Sequence, residues 1–144
     1  MPLHDVSSPA QGQELAYGEN NTDLSVTGSS GSPTTWIDFG NVYCDGSTLF
    51  LMCSCPQASI PGNLIIDIRV DGTAQVIGGA GGNRMAQWGG SQQQFTLISP
   101  RFTPAVATHA IKLCAWATSG TPTIFGTNGG LYFPSWAALF KVVK

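Results

Sequence analysis

Charge is what this sequence has least of. Asp, Glu, Lys and Arg make up 10% of its 144 residues, where a soluble domain averages about 25%. Only six of those side chains are basic, and the formal net charge is −2. No stripe of Lys and Arg is available to follow a phosphate backbone, which excludes nucleic acid as a partner. Apolar runs of the ~18 residues that span a bilayer are missing as well. The opening Met-Pro-Leu-His-Asp-Val-Ser-Ser-Pro lacks the basic and apolar regions of a secretory signal. Histidine is confined to His4 and His109, and the four cysteines, Cys44, Cys53, Cys55 and Cys114, contain no Cys-x2-Cys pair. A zinc finger or ribbon is therefore not expected, and neither a metal nor a cofactor is implied.

The shortage of charge points outward. A domain alone in water normally carries a charged coat, whereas obligate interfaces deplete charge at their centre. Much of this surface is expected to be covered by neighbouring chains, the alternative being a Ser/Thr-rich β surface that is simply uncharged. The expected compartment is a cytoplasm or a particle assembled there. Four buried free thiols fit it. A Cys44–Cys53 bridge across a turn would need an oxidising setting and is not signalled.

What the chain does have is turns and alternation. Glycine (18) and proline (9) are frequent, and from Thr35 onward apolar residues recur with period two. Strands are expected at 36–39, 47–54, 63–70, 73–77, 93–99, 109–117, 121–125 and 136–143, with a short one at 24–27. In the second, Leu49, Leu51 and Cys53 share one face, and Phe50 and Met52 the other. In the third, Leu64, Ile66, Ile68 and Val70 face inward, while Asp67 and Arg69 face out. Asp71-Gly72 is the strongest turn signal and closes a hairpin. Many short strands without an amphipathic helix predict an all-β, jelly-roll-like two-sheet β-sandwich. Residues 1–25 read as an extended N-terminal arm without a core of its own, and 26–144 as the sandwich. The last strand runs to the final residue, and no tail, anchor or second domain is expected after it.

Catalytic readings find little support. The run Gly78-Gly79-Ala80-Gly81-Gly82 has no helix start and no Lys-Ser/Thr after it, so it is read as a loop rather than a phosphate cradle. His109 is the one plausible general base, but no Gly-x-Ser-x-Gly elbow accompanies it. Asp38, Asp45, Asp67 and Asp71 are available for a carboxylate pair, yet most border turns or face outward. Asn20-Asn21-Thr22 matches a glycosylation sequon without a signal to give it meaning. The chain is read as non-enzymatic. Trp and Arg are the commonest interface anchors, which singles out Arg84 and Trp88 in the 78–92 loop. Leu15 and Tyr17 in the arm, Arg101, and Trp136 in the last strand complete the set of candidate contacts. Stacking of a sugar on Trp36, Trp116 or Trp136 is the other binding mode considered.

Two stretches carry a family likeness. Residues 12–27, Gly-Gln-Glu-Leu-Ala-Tyr-Gly-Glu-Asn-Asn-Thr-Asp-Leu-Ser-Val-Thr, resemble the opening of β-sandwich domains in actinobacteriophage minor tail and capsid decoration proteins. The strand from His109 to Ala117, the glycines of 126–130 and the ending from Phe133 to Val142 are similar to the close of the same domains. Asp45-Gly46-Ser47-Thr48 fits the middle, and tumour-necrosis-factor-like trimers end with a comparable rhythm. Without a stalk, heptads or collagen-like repeats, the chain suits a decoration protein better than a tail fibre. The resemblance implies a virion protein on the capsid exterior, assembled in the host cytoplasm. Its implied partners are itself, as a homotrimer at threefold points, and the major capsid protein, whose subunits it would brace through avidity. A receptor-binding tail module, or a small carbohydrate-binding protein with a host surface glycan as partner, is the alternative.

Overall fold

The computed structural model describes residues 12–75, 85–127 and 133–143, and over 85–92 the backbone alone. Among these residues there are nine strands and no helix. They are β1 (Gly12–Asn20), β2 (Leu24–Ser25), β3 (Thr34–Cys44), β4 (Leu49–Val70), β5 (Thr73–Ala74), β6 (Met85–Ile98), β7 (Ala107–Trp116), β8 (Thr123–Ile124) and β9 (Ser135–Val142). All belong to one hydrogen-bonded sheet that folds over on itself as a sandwich.

The fold is organised by β4, which is 22 residues long. Its first half lies between β9 (Leu49↔Lys141 to Ser54↔Trp136) and the second half of β6 (Met52↔Ile98, Cys55↔Phe95). Its second half lies between β7 (Ile65↔Trp116 to Val70↔Ile111) and the first half of β6 (Asn63↔Trp88, Ile66↔Met85). One layer is thus β1-β9-β4-β6 and the other β3-β7-β4-β6, with β4 and β6 running through both. The strand passes Pro56 and Pro61 because the ladder to β6 shifts register at 55–58, 58–60 and 60–63. A proline that lacks an N–H is tolerated at such irregularities.

Period-two alternation drives the layers together. Leu49, Leu51, Cys53 and Cys55, then Leu64, Ile66 and Ile68, point inward and are at most 1% exposed. Ile111, Leu113 and Leu139 meet them. Burying each Leu or Ile is worth about 1.5–3 kcal/mol against leaving it in water. Trp36 of β3 reaches across to the other layer, where its Nε1 donates to Ser135 Oγ at 2.9 Å and its ring meets Phe95 edge-on at 6.2 Å. Close approach of β1 to β3 needs a glycine: a Cβ on Gly18 would stand 2.5 Å from Ile37 Cγ2. Asn63, 4% exposed, fastens the 118–119 turn. Its Nδ2 donates to Thr118 Oγ1 at 2.6 Å, and its Oδ1 accepts from the N–H groups of Thr118 (2.9 Å) and Ser119 (3.3 Å).

The expected alternation and the Asp71-Gly72 hairpin are present. Both turn residues have positive φ, 51° and 80°, as a two-residue type I′ connection requires. Other expectations change: the strands expected at 47–54 and 63–70 are one, β4, and the strand expected at 36–39 extends over Thr34–Cys44. Residues 12–20 of the expected arm form β1, antiparallel to β9 from Gly12↔Val142 to Asn20↔Ser135, because the last strand leaves an edge open to pairing. Asp67, expected outside, is 3% exposed. Arg69 lies beside it at 3.2 Å and also donates to Ser30 O, tying the 28–33 segment to that face. The expected 78–92 loop is strand from Met85 onward, its backbone paired with 60–66 of β4.

Candidate interaction face

Residues opposite each other in an antiparallel ladder project from the same face. Reading across β1-β9-β4-β6 therefore gives the outer surface row by row. One row is Tyr17–Ala138–Met52–Ile98, the next Glu19–Trp136–Ser54–Thr96, and a third Glu14–Phe140–Phe50. Tyr17 and Ile98 are 50% and 63% exposed, while Phe50, Met52, Trp136 and Phe140 are half-buried. The rings support one another. Tyr17 stacks on Trp136 at 6.2 Å and 25°, and Phe50 on Phe140 at 5.2 Å and 15°. Such pairs add about 0.5–1.5 kcal/mol and fix ring orientation. The Tyr17 hydroxyl donates to Glu19 Oε1 at 2.7 Å, and this bond raises the phenol pKa. The three rows hold no cation, and their carboxylates, Glu14 and Glu19, stand on the edge strand β1. The face thus carries two mainly apolar rows, with Glu19, Ser54 and Thr96 in the row beside them.

Of the sequence-derived contact residues, Tyr17 and Trp136 are brought together here. Leu15 is not with them: it sits at the bulge between Glu14 and Ala16 and packs half-buried against the core. Trp88 is in β6 opposite Asn63, away from these rows, and its side chain lies outside the described residues, as does all of Arg84. Arg101 lines a cleft of about 440 Å³ at one end of the sandwich, with Asp45, Ser47, Thr48, Lys141, Val142 and Val143. In that cleft Asp45 is occupied: Oδ1 accepts from Ser47 N at 3.0 Å and Oδ2 from Lys141 Nζ at 3.0 Å. Hydrogen bonds from Ser47 and Lys141 hold its carboxyl well below the usual range. Phe50, Met52, Ile98 and Phe140 were not singled out. Their signal was nonetheless present: strands apolar on both faces, where a one-sided sheet alternates apolar with polar.

The groups suited to catalysis are engaged elsewhere. His109 Nε2 lies 2.9 Å from Ala105 O, which only accepts, so that nitrogen carries the hydrogen. Nδ1 lies 2.6 Å from Asp71 Oδ2. The hydrogen bond to the Asp71 carboxylate raises the His109 pKa, and each ring nitrogen faces an oxygen acceptor. A base needs a free nitrogen, and this ring keeps none. Asp38 pairs with Lys112 (3.3 Å), Asp45 with Lys141, Asp67 with Arg69 and Asp71 with His109. Each candidate carboxylate thus faces a cation rather than a second carboxylate. Trp36 and Trp116 are 5% and 4% exposed, which removes them from sugar stacking. All four cysteines are free and buried. Burial pushes Cys53 and Cys55 up to about 12 and raises Cys44 and Cys114. Among the described residues no group of three or more His, Cys, Asp or Glu is placed to hold a metal.

No family model and no curated protein matches the chain. Among solved structures it is similar to a chain of the infectious bursal disease virus Gt strain, at 15% identity and a TM-score of 0.39, covering 96% of this chain and 39% of that one. It is likewise similar to VP2 of that virus in derived T=1 particles (15%, TM-score 0.39, 96% and 37%) and in a subviral particle (17%, TM-score 0.37, 93% and 37%). These neighbours are viral particle proteins, and the chain spans under two fifths of their length. At that identity and score the likeness carries no information about particular residues.

Proposed function

We propose that this chain is a structural protein of a virus particle, a capsid decoration protein that acts by contact and not by chemistry. The observation that carries the proposal is the apolar outer face of β1-β9-β4-β6. Its three described rows hold two stacked aromatic pairs and no cation, in a chain with only 10% charged residues. Interface centres combine this depletion of charge with aromatic and Met side chains. The phage resemblance of residues 12–27 and 109–142 supplies the partner: the major capsid protein, reached by a homotrimer on the capsid exterior.

The test is rebinding. Particles stripped of the chain are mixed with purified chain and sedimented. Saturable co-sedimentation with heads, weakened at least about tenfold by Tyr17→Lys, is the expected result, since loss of a central aromatic costs ~2 kcal/mol or more. Binding to host cells with none to heads would replace decoration by the receptor-binding reading.

A further inference from the structure

The described charged side chains are almost all spoken for. Arg69, Lys112, Lys141 and His109 pair with Asp67, Asp38, Asp45 and Asp71. Glu19 accepts from Tyr17, and Asp23 from Gly126 N. Two remain without an ion pair or hydrogen bond among the described residues: Arg101 and Glu14. One is a cation and the other a carboxylate, and both are exposed.

Their positions are related by the sheet. Gln13 pairs with Lys141, Lys141 with Leu49, and Leu49 bridges Phe102. Glu14 and Arg101 adjoin the two ends of that row, three strand spacings or about 14 Å apart. They therefore stand on opposite edges of one layer at the same end of the sandwich. That separation prevents them from meeting within one chain. It suits a head-to-tail contact, in which the β1 edge of one copy meets the Arg101 edge of the next. Contacts of this type close into rings when the rotation allows.

We propose that the cleft at Arg101 receives the Glu14 carboxylate of a second copy of this chain. The guanidinium takes both oxygens in a fork, and Val142 and Val143 line the cleft beside it. Asp45 does not compete, because Ser47 and Lys141 hold it. The inference rests on the homo-oligomer reading and names the contact that forms it.

Analytical ultracentrifugation of the full chain and its charge variants tests it. The wild-type chain is expected to self-associate. Arg101→Glu and Glu14→Arg should each raise the dissociation constant at least about tenfold, and the double variant should recover most of the loss. Unaltered melting temperatures would exclude misfolding. As a direct geometric test, Glu14→Cys and Arg101→Cys chains are mixed under mild oxidation; the four native thiols are buried and do not interfere. A disulfide-linked pair of one chain of each kind supports the contact. An oligomer indifferent to both charge reversals overturns the contact and leaves the oligomer standing. A chain monomeric at every concentration overturns both, while head binding is still judged by co-sedimentation.

Discussion

His109 and Asp71 lie 2.6 Å apart and clamp the Asp71-Gly72 turn to the start of β7. Asp71 Oδ1 also accepts from Ala110 N at 2.9 Å, and Asp71 N donates to Ala110 O at 2.9 Å. The His109 pKa is raised above its ordinary 6.5 by Asp71, so its contribution is complete below about that pH and is lost as pH rises through the folded value. The Asp71 pKa is lowered below its ordinary 3.8 by His109, so its contribution is present above that pH and is lost as pH falls through the folded value. The pair therefore supports the turn fully between those two pH values and weakens on either side. Urea midpoints measured from pH 5.5 to 8.5 should decline in the wild type, and His109→Gln should flatten the decline.

Buried thiols give a second prediction. Cys53 and Cys55, pushed up to about 12, supply almost no thiolate at pH 8. Ellman's reagent should leave the native chain unlabelled over an hour and titrate four thiols once it is unfolded in guanidinium. Rapid labelling of the native chain would contradict the burial assigned to these residues.

Asn63 is expected to be the costliest polar side chain to remove. Truncation to alanine strands the N–H groups of Thr118 and Ser119 that its Oδ1 satisfies. The predicted loss is about 1–3 kcal/mol, read as a lower urea midpoint at unchanged slope. Asn63→Asp should recover part of it, since a carboxylate accepts both bonds.

Gly18→Ala tests the contact between the layers. The added Cβ meets the buried Ile37 side chain, and the predicted cost is about 1–3 kcal/mol. Combining it with Ile37→Ala, which removes the Cγ2 methyl from the contact, should give a loss smaller than the sum of the two. Strict additivity would show that the two residues do not touch.

The fold was legible where one strand reports on itself. The inward residues Leu49-Leu51-Cys53 and Leu64-Ile66-Ile68 recur with period two, and Asp71-Gly72 marks its own turn. It was not legible where a partner decides. Gly12–Asn20 is polar and glycine-bearing, and only β9, over a hundred residues on, makes it a strand. The continuity of β4 through Pro56 and Pro61 depends on register shifts that no local pattern encodes. Tyr17 and Trp136 were singled out by residue type, but their stacking follows from the β1–β9 register. Asp67 reads as outward by parity, yet it is buried beside Arg69, which also binds Ser30 O. The pairing of His109 with Asp71 needed the turn and the β7 register together.

β4 also has a mechanical consequence. Because its 22 residues supply a central strand to both layers, neither layer can peel away while the other stays intact. Slowly exchanging amides in the two halves, such as those of Leu51 and Ile68, should open in the same event, with one free energy and one denaturant dependence. Strain placed on either layer would pass along β4 into the other, so the two layers should respond to it together.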